Sequence, residues 1–307
     1  FFKVDRRLGT NEEFKALVKK FHDAGIRVVL DGVFNHVGRR FAAFEDVKQR
    51  REASDKTGWF YLNFGGNSPY NDGFWYEGWE GHMELVKLNL QNEGVVDYIR
   101  RAVLFWIDEF GIDGLRLDVA YLLPEWFFEF LRRTVRERRD DFFLMAEVIH
   151  GQNFAKNLTP QRLDSMTNYE CYKGLTSALN SDNLFEIEHS LERLFGSQPW
   201  CLYTGKHLFS FVDNHDVVRA YTALQNKDKI FNMYAILYTM PGIPCIYYGS
   251  ECAAEGDKSD NDYKLRPCID DVDKNKRPDL LKFIQKLNAI RRSCRALSYG
   301  RYEKCVL

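Results

Sequence analysis

Three carboxylates stand where short apolar runs turn polar: Asp118 closes 111–118, Glu147 closes 141–147, and Asp216 follows 208–212. Short apolar runs of this kind read as buried strands, and the ends of parallel strands gather on one face, so acids far apart in sequence can meet there. Two carboxyls flanking a glycosidic bond make a complete catalyst, one protonating the leaving oxygen while the other attacks the sugar. Those roles require different proton affinities. Arg116 precedes Asp118 by two positions. Strand side chains repeat every two residues, so its guanidinium shares the face of Asp118 and favours the ionised carboxylate that a nucleophile needs. Glu147 follows Met145 and Ala146, has no cation adjacent in sequence, and is predicted to be the protonated acid. His36 and His215 also fall at strand ends. A zinc site built on them is the rival reading, but no HExxH or other paired-His spacing supports it.

The elements that must position these residues alternate. Strands are predicted over 26–31, 111–118, 141–147, 208–212 and 242–248, with a weaker one over 162–167. Helices are predicted over 12–24 (N-cap Asn11), 93–110, 124–139 (opened by Pro124), 186–195, 229–239 and 278–292. The helix at 93–110 aligns Val96, Ile99, Val103, Trp106, Ile107 and Phe110, and the one at 124–139 aligns Trp126, Phe127, Phe130, Leu131 and Val135. The Arg-rich end of the latter, 132–139, reads as a solvated face. Strands alternating with helices imply βαβ units and a parallel sheet. Polar chemistry at every strand C-terminus points to a (β/α)8 barrel rather than an open doubly wound sheet, since no Gly-rich phosphate loop follows any strand. Six strands are too few to close such a barrel, which places two more before Phe1, and 299–307 reads as a strand-like start of a further β-domain.

One connection is far longer than a βα loop. The residues between Asp31 and the helix at Glu93 imply a small inserted domain over 37–91. It holds eleven aromatic residues, among them the Gly-spaced group Phe74, Trp75, Tyr76 and Trp79. That density exceeds what so small a core can bury, and exposed rings beside a site suit stacking on sugar C–H faces, with Trp75 and Trp79 the best placed.

Composition narrows the class. The 307 residues are 45% hydrophobic and 28% charged, as in globular proteins, and the net charge of −1 argues against nucleic-acid binding. No apolar stretch approaches the roughly 18 residues of a membrane span. Seven Cys with no CxxC pair disfavour a disulfide framework or a zinc knuckle and suggest mostly buried free thiols in a reducing, cytoplasmic setting. The sequon at Asn157 is followed after Thr159 by Pro160 and is discounted.

Four segments carry a specific resemblance. Asp31-Gly32-Val33-Phe34-Asn35-His36, Gly114-Leu115-Arg116-Leu117-Asp118-Val119-Ala120, Ala146-Glu147-Val148 and Phe211-Val212-Asp213-Asn214-His215-Asp216 resemble, in order, the four conserved regions of the α-amylase family, glycoside hydrolase family 13. A fifth stretch, Leu85-Val86-Lys87-Leu88-Asn89, is similar to the motif late in that family's domain B. The resemblance implies a barrel domain A over 1–36 and 92–297, domain B over 37–91, and a truncated C-terminal β-domain from 298. It implies that Asp118 is the nucleophile forming a glycosyl-enzyme, Glu147 the acid/base, and Asp216 the stabiliser of the oxocarbenium-like transition state. Arg116 would hold Asp118 ionised, and His36 and His215 would bind the sugar being cleaved. Asp31 and Asn35 would support the site, Asn35 as a calcium ligand, with no organic cofactor. The substrate implied is an α-glucan such as starch, a maltodextrin or a cyclodextrin. Tyr121-Leu122 stands where many endo-acting amylases carry Lys-His, which leans toward oligosaccharide- or cyclodextrin-active relatives. An α-glucan transglycosylase uses the same intermediate with a sugar as acceptor. A non-catalytic binding subunit is the reading of another class, and such relatives lose the acids that this chain keeps. Oligomeric state and the choice between α-1,4 and α-1,6 bonds stay open.

Overall fold

The computed structural model describes residues 1–149, 154–258 and 262–305. The chain divides into two compact units, Phe1–Glu147 with Thr159–Asp164, and Val148–Leu158 with Ser165–Leu307.

The first unit opens with helix α1 (Asn11–Asp23). Its cap is Thr10, not Asn11: the Thr10 hydroxyl accepts from Glu13 N while the Glu13 carboxylate accepts from Thr10 N, a reciprocal box that satisfies two helix-end donors. Asn11 instead ties down the preceding segment, accepting from Val4 N and donating to Phe2 O. Strand β1 (Val29–Gly32) follows, then the small antiparallel elements of the long connection. These are β2 (His36–Gly38), helix α2 (Ala42–Arg50), β3 (Leu62–Asn63), β4 (Trp75–Tyr76), β5 (Gly78–Trp79) and β6 (His82–Lys87). β2 and β5 both pair with β6, and β3 pairs with β4. The aromatic density resolves by strand alternation: Phe74 and Tyr76 are fully buried while Trp75 between them is 42% exposed. Arg39 braces this region, paired with Asp72 at 2.8 Å, bonded to the Tyr76 hydroxyl, and lying 3.8 Å from the Tyr70 ring centre.

Helix α3 (Glu93–Phe105) is capped by Asn92, runs on as a π-helical turn over Trp106–Phe110, and stops at left-handed Gly111. Strand β7 (Gly114–Leu117), helix α4 (Glu125–Arg136) and strand β8 (Phe143–Ala146) complete the unit. β1, β7 and β8 are parallel neighbours with Asp31 opposite Arg116 and Arg116 opposite Met145. Two expectations for α4 fail. Trp126, predicted on the buried face, is 38% exposed. Arg132, predicted on a solvated face, is buried, donating to Phe142 O and Arg162 O and pairing with Asp164 at 2.6 Å. Its guanidinium satisfies carbonyls of two separate segments, one just before β8 and one at Arg162, a need that charge counting along one helix does not reveal.

The second unit holds β9 (Ser165–Met166), α5 (Tyr169–Ser181), α6 (Phe185–Phe195), β10 (Phe209–Phe211), α7 (Ala220–Ala223), α8 (Ile230–Thr239), β11 (Ile243–Cys245), α9 (Pro278–Ser293) and α10 (Arg295–Tyr299). β10 and β11 are parallel, and Thr167 bridges to Phe209 in the same sense. α5 carries Gly174, Thr176 and Ser177, poor helix formers that hide it in the sequence, yet its buried side includes Cys171, Leu175, Ala178 and Leu179. The strand-like reading of 299–307 is not met: Tyr299 ends α10, residues 300–305 form no strand, and 306–307 lie outside the described residues. All seven cysteines are free as expected, but only Cys171 and Cys252 are buried. Asn157 is 3% exposed, which agrees with discounting its sequon. Among the described residues no helix is long and apolar enough to cross a membrane.

Candidate active site

The register of the first unit assembles a charged cluster around Arg116. The parallel pairing of β1, β7 and β8 sets Asp31 beside Arg116 and brings Glu147, one residue past β8, level with Asp118, one past β7. Arg116 Nη1 lies 2.7 Å from Asp31 Oδ1 and 2.7 Å from Asp118 Oδ1, while Nη2 lies 2.6 Å from Glu147 Oε1. Burial opposes the guanidinium charge, but the carboxylates of Asp31, Glu147 and Asp118 outweigh it and raise its pKa. One group thus bridges three acids. Glu147 has no cation adjacent in sequence but gains one in space, from Arg116 on the neighbouring strand, which adjacency along the chain cannot show.

The second oxygen of Glu147 is also taken. Val119, directly after Asp118, has φ +40°, a left-handed conformation rare for a β-branched residue and costing on the order of 1–3 kcal/mol. That turn aims Val119 N at Glu147 Oε2, 2.9 Å away, and Ala120 N donates to the Glu147 carbonyl at 3.1 Å. Glu147 itself is 5% exposed. No sequence signal marks Val119 for this part.

His36 faces the same cluster, with Nε2 3.8 Å from Asp118 Oδ2. The Asn35 amide nitrogen is 3.3 Å from His36 Nδ1 and can only donate, so Nδ1 accepts and the ring proton sits on Nε2, toward Asp118. Burial lowers the His36 pKa, against the pull of Asp118, and leaves the ring neutral at pH 7. The Trp79 ring lies 5.7 Å from that of His36 and stacks at 5.2 Å on His82. Trp75 sits on β4 with its ring exposed, and the structure shows no contact between it and the acids.

Asp216 and His215 belong to the second unit, in the loop after β10. His215 Nε2 is 3.1 Å from Asp216 Oδ2, and Arg266 holds Asp216 Oδ1 at 2.9 Å and the His215 carbonyl at 3.1 Å. Arg266, fifty residues past Asp216, carries no sequence signal. Two residues before His215, buried Asp213 accepts from Ala220 N and the Ser250 hydroxyl, anchoring the loop.

Asn35 is buried, and its amide nitrogen bonds His36 Nδ1. Calcium binds oxygen atoms, so that bond leaves the expectation of a calcium ligand at Asn35 as it stood. Among the described residues no three His, Cys, Asp or Glu side chains group to hold a metal.

Parallel strands thus end in two carboxylates bridged by one guanidinium. Residues 1–277 match the Alpha-amylase family model, described as alpha amylase, catalytic domain. The chain belongs to the α-amylase family, whose catalytic domain is a (β/α)8 barrel. It is similar to a cyclomaltodextrinase from a Bacillus species, 30% identical over 99% of this chain and 54% of the relative. It is also 28% identical to the intracellular maltogenic amylase of Bacillus subtilis, over 95% of this chain and 48% of the relative. Among solved structures, the ligand-free cyclic α-maltosyl-(1→6)-maltose hydrolase of Arthrobacter globiformis aligns with a TM-score of 0.85 at 26% identity, over 100% of this chain and 68% of that one. The chain spans about half the length of the curated relatives it matches.

Proposed function

We propose that the protein is a retaining glycoside hydrolase that cleaves α-glucosidic bonds, α-1,4 first among them, in maltodextrins or cyclodextrins through a glycosyl-aspartate. The observation that carries this reading is the bridging of Asp118 and Glu147 by one guanidinium. Two carboxylates bonded to the two terminal nitrogens of one group are held close enough for the roughly 5–5.5 Å separation of retaining enzymes. Asp118 attacks the anomeric carbon with the oxygen that Arg116 leaves free. Glu147 gives its proton to the leaving oxygen, then takes one from water as the intermediate is hydrolysed. Its oxygens both rest on donors; each has a second lone pair to take the proton, and the donor beside the protonated oxygen is the contact weakened. Arg116 keeps Asp31 and Asp118 as partners and is the donor best able to let go. Neutral His36 offers its Nε2 proton to a hydroxyl of the sugar. Asp216 and His215 enter through their motif alone, as stabiliser of the transition state and sugar ligand. The names of the relatives, cyclomaltodextrinase and maltogenic amylase, support the substrate class.

The test is product analysis with the full-length protein on starch, pullulan and β-cyclodextrin. Proton NMR of the first products should show the α-anomer. A β-anomer as first product overturns the double displacement, and longer glucans in place of net hydrolysis favour the transglycosylase.

Trp79 and Trp75 carry the stacking part of the proposal. A Trp ring offers a flat apolar face to a sugar, and the face carries the argument for Trp79, whose indole N–H is buried. Trp79→Ala should weaken maltooligosaccharide binding more than Trp75→Ala, because only Trp79 touches a residue of the acid cluster. Titration followed by intrinsic fluorescence measures both. Unchanged affinity in the two variants returns the rings to a structural role.

A further inference from the structure

The tip of the β5–β6 hairpin breaks a local rule. Its two turn residues are Glu80 (φ +47°) and Gly81 (φ +89°), the pair of positive angles that a type I′ turn requires, and the first position of such a turn favours Asn, Asp or Gly. Glu there bears the strain of a left-handed backbone without the short side chain that relieves it. The hairpin is otherwise tightly made: a Cβ on Gly78 would lie 2.3 Å from the His82 carbonyl oxygen, so only glycine fits.

The Glu80 side chain explains its presence. Its Oε1 accepts a hydrogen bond from the Tyr121 hydroxyl at 3.3 Å. Tyr121 lies in the 3-10 turn Ala120–Leu122, three residues past Asp118 and shortly after the strained Val119. Burial, then Glu80 and Glu147, push the Tyr121 hydroxyl up to about 12, so it stays a proton donor at any working pH and senses both acids. Trp79 precedes Glu80 and rests on His36, which faces Asp118. A contact at the tip therefore reaches the acid cluster by two routes, through Tyr121 and through Trp79.

We propose that Tyr121 and Glu80 form a clamp that ties the hairpin tip to the loop after Asp118, fixing Trp79 against His36 when an oligosaccharide binds. Both are positioning residues. The proposal rests on the hydrolase reading for its kinetic consequence but not for the clamp itself. Hydrogen exchange of the full-length protein, read by mass spectrometry on peptides covering 76–87, tests the clamp directly. Tyr121→Phe should speed exchange at the tip about 2- to 10-fold, the effect of one lost hydrogen bond, and leave peptides of β8 unchanged. Glu80→Asn separates positioning from support. It suits the turn, so the melting temperature should hold or rise, yet it is too short to reach Tyr121. KM for maltoheptaose should rise about 2- to 10-fold, as for one lost hydrogen bond, while kcat changes less. Glu80→Gln keeps an acceptor oxygen and should restore KM. Unchanged exchange at the tip in Tyr121→Phe overturns the clamp, as does a KM in Glu80→Gln as high as in Glu80→Asn. Faster exchange in Tyr121→Phe, with a wild-type protein inert on every α-glucan, keeps the clamp and sinks the hydrolase reading instead.

Discussion

Asp118→Asn in the full-length protein should lower kcat on maltooligosaccharides at least about 10⁴-fold, the scale of losing a nucleophile. The amide is nearly isosteric, and its oxygen still accepts from Arg116, so the three-acid bridge retains its shape. What disappears is the negative oxygen that forms the glycosyl ester. The melting temperature should therefore change little while turnover vanishes. Retention of more than a few per cent of wild-type activity removes Asp118 from the nucleophile's role.

Glu147→Gln should act differently on rate and on stability. An amide cannot give a proton to the leaving oxygen, so kcat on unactivated glucans should fall by about 10²–10⁴. Maltosyl fluoride needs no such proton, and its glycosylation step should be spared. The glycosyl-enzyme would then accumulate, because water lacks its base, and azide should restore turnover by attacking without one. Stability should also drop. Both Glu147 oxygens accept in the wild type, from Arg116 and from Val119 N, whereas an amide presents only one acceptor. One buried donor is left unpaired at a cost of about 1–3 kcal/mol. Equal losses on fluoride and glucan, with no rescue by azide, would exclude Glu147 as the acid/base.

The elements are legible where periodicity is strong. Every segment predicted as a strand from 26 to 248 contains one, shorter than its apolar run and not always centred on it: β1 begins at Val29 and runs one residue past the predicted end, to Gly32. The helix predicted over 93–110 reaches Phe110 only as a π-helical turn. α5 escapes a propensity reading because its residues are weak helix formers, and packing holds it instead. The solvated reading of Arg132 fails because a charged residue on a helix faces water only by default, and carbonyls of another segment can draw it in.

Asp118, Glu147, Arg116 and His36 can all be named from sequence, because their types and their places after apolar runs are one-dimensional facts. Their chemistry cannot be assigned in the same way. Which acid shares a cation depends on the register between β7 and β8, which sets the Glu147 carboxylate beside the guanidinium of Arg116 on the neighbouring strand. The left-handed turn at Val119 is a backbone conformation that residue type argues against, so only coordinates reveal it. The contact of Tyr121 with Glu80 spans an inserted segment whose fold no local pattern specifies. Sequence alone determined the inventory of reactive groups and the family, since both are written in residue identity and order. Tertiary structure decided which groups pair, which are buried and which face each other, because hydrogen bonds and Coulomb forces act over a few ångströms of space and are indifferent to distance along the chain.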